Sequence, residues 1–390
     1  MPPIARFTLL ARAASTPRSS HSVSVSKDGL IVLYSGELVP RVPVDAREPD
    51  GAAQSDDAPR GSVHIFDPTV QRSVTLEPTQ TSDTPEPRVG ASAVFAPDGA
   101  LYLWGGRGGP AMAPLPRAQA GIWRGTVTST ATGDSSSIQW ARVPAQNEDD
   151  APEPRSYHVS VVHDNKIYIH AGCPAAGRLG TLHAFDLRTR TWAQLAPAPG
   201  PARGGTALAP TTLRDGRTVF VRFGGFAGHE LPAPSDSAGG TIDIYDPRAD
   251  SWHTLTPAPD AVHGVPGARS VHGLVGGSGG RALLWYGERE ASALGHAGAG
   301  AFWGDVWVLE SGIGGGAGEG EGEGEGRGWA WRRAEVRAAD EGVGVPEARG
   351  WFAGAAWEAE EESGAMRAVM HGGLVGSNER RGDLWLLEVV

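Results

Sequence analysis

Three charged side chains in this 390-residue sequence each stand directly behind a glycine: Glu37 after Gly36, Arg107 after Gly105 and Gly106, and Glu288 after Gly287. A guanidinium in such a place can pair two oxygens of an anion at once. Glu37 reads as a residue that contacts or supports a bound substrate, because its place behind a glycine matches that of Glu288. Other polar residues recur too regularly for catalysis. Arg18, Arg88, Arg155, Arg203, Arg269 and Arg349 each close a Pro-Arg or Ala-Arg opener, and six copies read as structural groups that satisfy backbone carbonyls between repeats. His21, His158 and His272 follow such openers, and His371 precedes Gly372. They read as packing partners before metal ligands. No Gly-x-Ser-x-Gly elbow, phosphate loop or zinc-type Cys pair is present.

The elements that position these residues are short strands. Between Pro154 and Leu195, residues 157–162, 166–171, 181–185 and 191–195 alternate apolar and polar side chains between turn residues. This pattern predicts a four-stranded antiparallel meander. One meander cannot bury its own faces, and the chain supplies copies. Six openers pair with six glycines at Gly36, Gly106, Gly172, Gly225, Gly287 and Gly373. The gaps are too short for a crossover helix, so all neighbouring strands are expected to be antiparallel. In two copies a third-strand aromatic is followed by Trp, as Phe185 with Trp192 and Tyr245 with Trp252.

Composition agrees with an all-β chain, since 56 Gly and 30 Pro punctuate it and no window holds a helical period. Thirteen Trp among 28 aromatic residues fit packing between twisted sheets. A net charge of −11 without a basic, aromatic-interleaved cluster argues against nucleic acid or an anionic membrane as partner. No apolar run reaches the roughly 20 residues of a membrane helix. The lone Cys173 excludes an intrachain disulfide and points to a reducing, cytoplasmic setting.

The repeated Arg, Gly-Gly, aromatic and Trp pattern resembles the kelch repeat, whose unit is one propeller blade. It implies an all-β, six-bladed kelch-type β-propeller with four antiparallel strands per blade. Approximate blades span 16–80, 85–145, 152–197, 201–257, 267–335 and 346–390. Residues 6–10 look like a fourth strand lacking its first three, and the last copy lacks its fourth, so the N-terminal strand is expected to close the last blade. A Gly/Glu tract at 312–328 must loop out of blade five.

PRSSHS with SGELVP in copy one, GEREASALGHAGAG in copy five, and ARGW with MHGGLVGSNERRGDLW in copy six resemble the plant nitrile-specifier, epithiospecifier and thiocyanate-forming proteins. The resemblance implies Fe(II)-dependent steering of a glucosinolate aglycone, a thiohydroximate O-sulfate, toward nitriles or related products, with a functional link to a thioglucosidase. It places the metal motif at Glu288, Ser292 and His296. Ser292 stands where the family has Asp, and a neutral hydroxyl is a poor ligand for Fe(II). The resemblance also assigns Arg107 and Arg178 to the sulfate of a small anionic sulfur-containing substrate. The contrasting expectation is a non-enzymatic scaffold whose loop face binds a protein partner.

Overall fold

The computed structural model describes residues 1–44, 59–80, 83–129, 136–232, 239–312, 328–357 and 364–390. Most of the 41–60 loop, the acidic segment at 358–362, and all but the two ends of the 312–328 tract lie outside the described residues.

Alternating residues and tight turns fold into the expected meanders. Blade three consists of Val159–His163, Lys166–His170, Leu182–Asp186 and Thr191–Leu195, each antiparallel to the next. Blade four repeats this with Ala207–Thr212, Thr218–Phe223, Ile242–Asp246 and Ser251–Leu255. Blade five uses Gly273–Gly276, Arg281–Trp285, Val306–Ser311 and Trp329–Arg333. In blades one and two the innermost strands are Ser22–Val25 and Ser92–Phe95. Blade six has Ala353–Ala356, Met366–His371 and Leu384–Val389 from the C-terminal end, and Ile4–Ala11 pairs antiparallel on Leu384–Val389 as its fourth strand. The first strands of successive blades neighbour one another around a closed ring.

Not every neighbouring pair is antiparallel, which corrects the expectation from gap length. Ile4–Ala11 also pairs in parallel with Glu335–Ala338, and Glu77 and Pro78 pair in parallel with Ser137 and Ile138. These contacts join outer edges of consecutive blades, and opener-to-glycine gaps carry no information about them. They cover edges that would otherwise expose unpaired backbone.

The closure can be followed bond by bond. The second residue after each opener arginine donates its N–H to the carbonyl of its counterpart in the neighbouring blade. The cycle runs Ser20 to Trp351 to Val271 to Gly205 to Tyr157 to Gly90 and back to Ser20, with lengths of 2.8 to 3.1 Å. All six residues are left-handed, with φ from 45° to 62°. That conformation is unusual for non-glycine residues.

The six arginines are at most 7% exposed. They act within their own repeats, not between blades as expected from sequence. Each Nε donates to the carbonyl two residues upstream at 2.8 to 3.1 Å, and each Nη1 donates at 2.9 to 3.2 Å to the carbonyl just before the second-strand glycine. The seams between blades use backbone instead. Gly106, Gly172, Gly225, Gly287 and Gly373 donate N–H to the carbonyls of Arg155, Arg203, Arg269, Arg349 and Arg18. At the remaining seam the Ser35 hydroxyl donates to the Arg88 carbonyl. Gly172 shows why glycine is needed: at φ +103° its Cβ would come within 2.8 Å of the His158 side chain.

Nine of the thirteen tryptophans are buried in the interblade core, as their bulk predicts. The closing strand contributes Phe7, 1% exposed, whose ring lies 6.4 Å from Trp385 in blade six and 5.6 Å from Tyr286 just after the second strand of blade five. Among the described residues no helix is long and apolar enough to cross a membrane. Phe7→Ala should therefore lower unfolding stability by about 3–5 kcal/mol in denaturant titrations. A cost under about 1 kcal/mol would mean that the closing strand lies outside the cooperative unit.

Four buried histidines sit beside the seams. Ser92 Oγ lies 2.7 Å from His158 Nε2, and His371 Nδ1 lies 2.8 Å from His21 Nε2 across the closure. Burial first, then opener-arginine charge, pushes His158, His272 and His371 down to about 3. The unfolded chain takes up these protons near pH 6.5 and the folded chain does not. Their contribution is therefore complete above about pH 6.5 and lost progressively as pH falls toward 3. Denaturation midpoints should drop between pH 7 and pH 5, and His158→Gln should flatten that slope; equal slopes in both proteins would exclude His158 as a source.

Candidate functional site

The site grows out of one repeat position. The residue after each second-strand glycine pairs, in antiparallel sense, with the residue after the opener arginine (in blade six the arginine and Gly350 both pair). The partners are Ser19 with Glu37, Val89 with Arg107, Ser156 with Cys173, Gly204 with Phe226, Ser270 with Glu288, and Gly350 with Leu374. Six blades thus place Glu37, Arg107, Cys173, Phe226, Glu288 and Leu374 around one channel end. There a cavity of about 230 Å³ is lined by Glu37, Cys173, Phe226, Glu288 and Leu374, together with Tyr157, Val271 and Trp351 from the hydrogen-bonded ring. Arg178, Ser292, His296 and Arg380 reach the same cavity from loops. Five of the six residues singled out from sequence share this cavity. Arg107 stands behind Tyr157, with its guanidinium carbon 5.5 Å from that ring and Nε donating to Ser156 Oγ at 2.6 Å.

Glu37 is not free to bind a ligand. Its buried carboxylate accepts from Arg380 Nη2 at 3.0 Å, from Ser19 Oγ at 3.3 Å and from the Arg41 N–H at 2.7 Å. Arg380 also donates to Ser19. This pair neutralises one side of the mouth.

Glu288 is 4% exposed, and burial raises its carboxyl pKa to about 7. Hydrogen bonding from Trp351 and the Gly300 backbone opposes that shift, and the neighbouring Glu230 adds to it. Glu230 is itself buried and raised, and it accepts from Ser270 Oγ at 3.5 Å.

His296 lies on a short 3-10 turn, Gly295–Ala297, and the residue is exposed at the rim. Its ring nevertheless stacks on Tyr157 at 5.8 Å and meets the Trp351 edge at 5.4 Å. Loss of water at that ring lowers its pKa; Glu37 opposes this, whereas Arg41 and Arg107 reinforce it. Ser292 Oγ accepts the Leu294 N–H at 3.1 Å, so it shapes the turn that carries His296.

The donor set implied by the resemblance can be tested on this geometry. Among the described residues no group of three His, Cys, Asp or Glu side chains converges as a metal site. Glu288 and His296 share the cavity, but the position between them is a hydroxyl engaged with backbone. One carboxyl and one imidazole do not make the ligand set of a resident ferrous ion.

Among the described residues Arg178 faces the cavity without a counterion. Its guanidinium carbon lies 4.7 Å from the Phe226 ring, and among the described residues it has no ion-pair partner. Arg107 likewise has no carboxylate partner; its Nη2 donates to the Cys173 carbonyl at 3.4 Å.

With this geometry in view, residues 50–287 match the KLHDC2/KLHL20/DRC7 Kelch-repeats domain. The chain belongs to the kelch-repeat family. Over 386 residues it is 23% identical to the N-(sulfonatooxy)prop-2-enimidothioate sulfolyase of Thlaspi arvense, covering 96% of this chain and 93% of that relative. The solved structure of YjhT superposes with a TM-score of 0.59 at 14% identity, covering 98% of this chain and 99% of the other. That likeness shows the kelch propeller fold alone.

Sequence reasoning missed Tyr157, Trp351, Cys173, Phe226 and Arg380 as cavity residues. Two positional rules find the first four: two after the opener arginine, and one after the second-strand glycine. Arg380 lies on a loop of the sixth kelch repeat and obeys neither rule. Because Glu37 and Arg380 are both buried, removing one partner leaves an uncompensated charge. Arg380→Ala should cost about 3–5 kcal/mol in stability. Arg380→Met with Glu37→Leu should recover most of that loss in thermal melts, and a double variant no better than the single one would refute the pairing.

Proposed function

We propose that the channel mouth binds a small O-sulfated, sulfur-containing organic anion and steers how it breaks down. The class is that named for the Thlaspi arvense relative. The observation that carries this reading is the unpaired Arg178 guanidinium set against Phe226 in a cavity walled by Tyr157, Val271 and Trp351. The whole chain is acidic, but this mouth is locally cationic. Glu37 is neutralised by Arg380, and Glu288 holds its proton up to about pH 7.

A guanidinium fork pairs two sulfate oxygens, and it pairs them more strongly as the N–O bond breaks and its electron pair passes to the departing sulfate. Arg178 would provide that stabilisation, with Arg107 adding positive field from behind Tyr157. The aromatic walls would hold the remaining carbon and sulfur framework in one conformation and exclude water from it. Which product forms would then depend on the conformer the walls select. No step here depends on a metal, in keeping with the donor set described above.

The test generates the aglycone in situ by adding a thioglucosidase to allyl glucosinolate, then measures products with and without this protein. The parent protein should change the ratio of nitrile-type products to isothiocyanate. Arg178→Ala should return it at least tenfold closer to the spontaneous ratio, corresponding to a loss of about 1.4 kcal/mol or more. A product distribution identical with and without the parent protein would falsify the reading.

A further inference from the structure

A second cavity, of about 260 Å³, lies in blade four away from the channel mouth. It is lined by Pro199, Gly200 and Pro201 before the blade, by Arg203 and Arg222, and by Thr241, Asp243 and Thr254. Comparison among the repeats shows how the opener arginines differ in their partners. Blades one and two carry Ser62 and Ile122 before the third strand and so supply no carboxylate there. The residue just before the third strand supplies the opener arginine's counterion in two blades. Asp305 takes Arg269 through both terminal nitrogens at 2.8 and 3.2 Å, and Asp383 takes Arg349 at 2.6 and 3.1 Å. In blade three Thr181 Oγ1 accepts from Arg155 at 2.9 Å. Blade four has Thr241 at this place, and Arg203 has no carboxylate partner and no hydrogen bond from Nη2 among the described residues.

The nearby carboxylate cannot serve Arg203. Asp243 Oδ2 accepts from Arg222 Nε at 3.0 Å and Nη2 at 2.6 Å, while Oδ1 accepts from Thr254 Oγ1 at 2.7 Å. His170, which meets Arg222 Nη1 at 3.3 Å, is held neutral by burial and by Arg222 itself. Two arginines, 7% and 0% exposed, therefore face one cavity with a single saturated carboxylate between them. A buried charge without a counterion is costly, and a bound anion would remove that cost.

We propose that the blade-four cavity between Arg203 and Arg222 is a binding site for a small tetrahedral oxyanion, sulfate or inorganic phosphate. Arg203 Nη2 supplies the open donor and Arg222 the adjoining positive field, and the repeat position that is Asp305 in blade five and Asp383 in blade six is Thr241 here. The site is distinct from the mouth and does not depend on the function proposed for it.

The decisive variant is Thr241→Asp, which builds into blade four the counterion that blades five and six already have. Experiments use the full chain carrying Arg178→Ala, so that the mouth does not contribute. Sulfate and phosphate are titrated separately against sodium chloride at constant ionic strength, with melting temperature and titration calorimetry as readouts. The parent should show a saturable rise in melting temperature and one binding event with sulfate, phosphate or both, and the two arms identify the preferred ion. Thr241→Asp should melt higher than the parent without oxyanion and lose the saturable increment. Arg203→Lys, which retains a charge but not the fork, should bind at least tenfold more weakly. A linear rise shared by the parent and Thr241→Asp would be the general salting effect of these ions and would overturn the proposal. So would an absence of binding to the parent, or equal binding by parent and Thr241→Asp.

Discussion

The fold depends on how each blade end is tied to the next. A propeller blade is a twisted sheet with few contacts beyond its two neighbours, so the ring survives only if every seam holds. Here each opener arginine extends two ways. Its guanidinium fixes the turn at the end of its own second strand, and at five of the six seams its carbonyl accepts the glycine N–H of the preceding blade. One residue therefore locks local geometry to global closure. Burying six guanidinium groups is tolerable because Nε and Nη1 of each meet backbone carbonyls instead of water.

The same constraint creates the site. Because opener and glycine are fixed against each other, the residues beside them are fixed too, and five of the six behind the glycines line one opening. The seam is structural and repeated, whereas its flanking positions are free to vary. The six positions behind the glycines hold two carboxylates, a guanidinium, a thiol, a phenyl ring and an isobutyl group. Symmetry of backbone thus becomes asymmetry of chemistry without any change in fold.

Much of this could be read from residue spacing. The six openers and glycines fixed the number of blades, and the orphan segment near Phe7 pointed to closure by the N-terminal strand, because both signals come from local pattern. Glu37, Arg107 and Glu288 were visible for the same reason. The parallel contacts of Glu335–Ala338 with Ile4–Ala11 were not, since edge pairing between blades leaves no period in the chain. Nor was the state of Glu37 legible, because Arg380 is 343 residues away and meets it only through ring closure. The opener arginines were assigned to seams between blades, whereas their side chains act within repeats. Sequence counts copies of a residue but does not say which end of it spans the gap.

Electrostatics explains why an acidic protein can favour an anion at one end. Net charge acts over long range and is screened within about 8–10 Å at physiological salt, so the local inventory decides what the cavity attracts. At the mouth, one carboxylate is cancelled by Arg380 and another is kept protonated near neutrality by burial. Among the described residues Arg178 has neither a carboxylate nor a carbonyl to satisfy it, and it rests on the face of Phe226. An aromatic face attracts a cation but leaves its in-plane N–H donors available. A guanidinium stacked in this way is oriented without being consumed, and it can accept a planar edge of oxygens without first breaking an ion pair. That difference, and not the count of positive residues, separates Arg178 from the opener arginines around it.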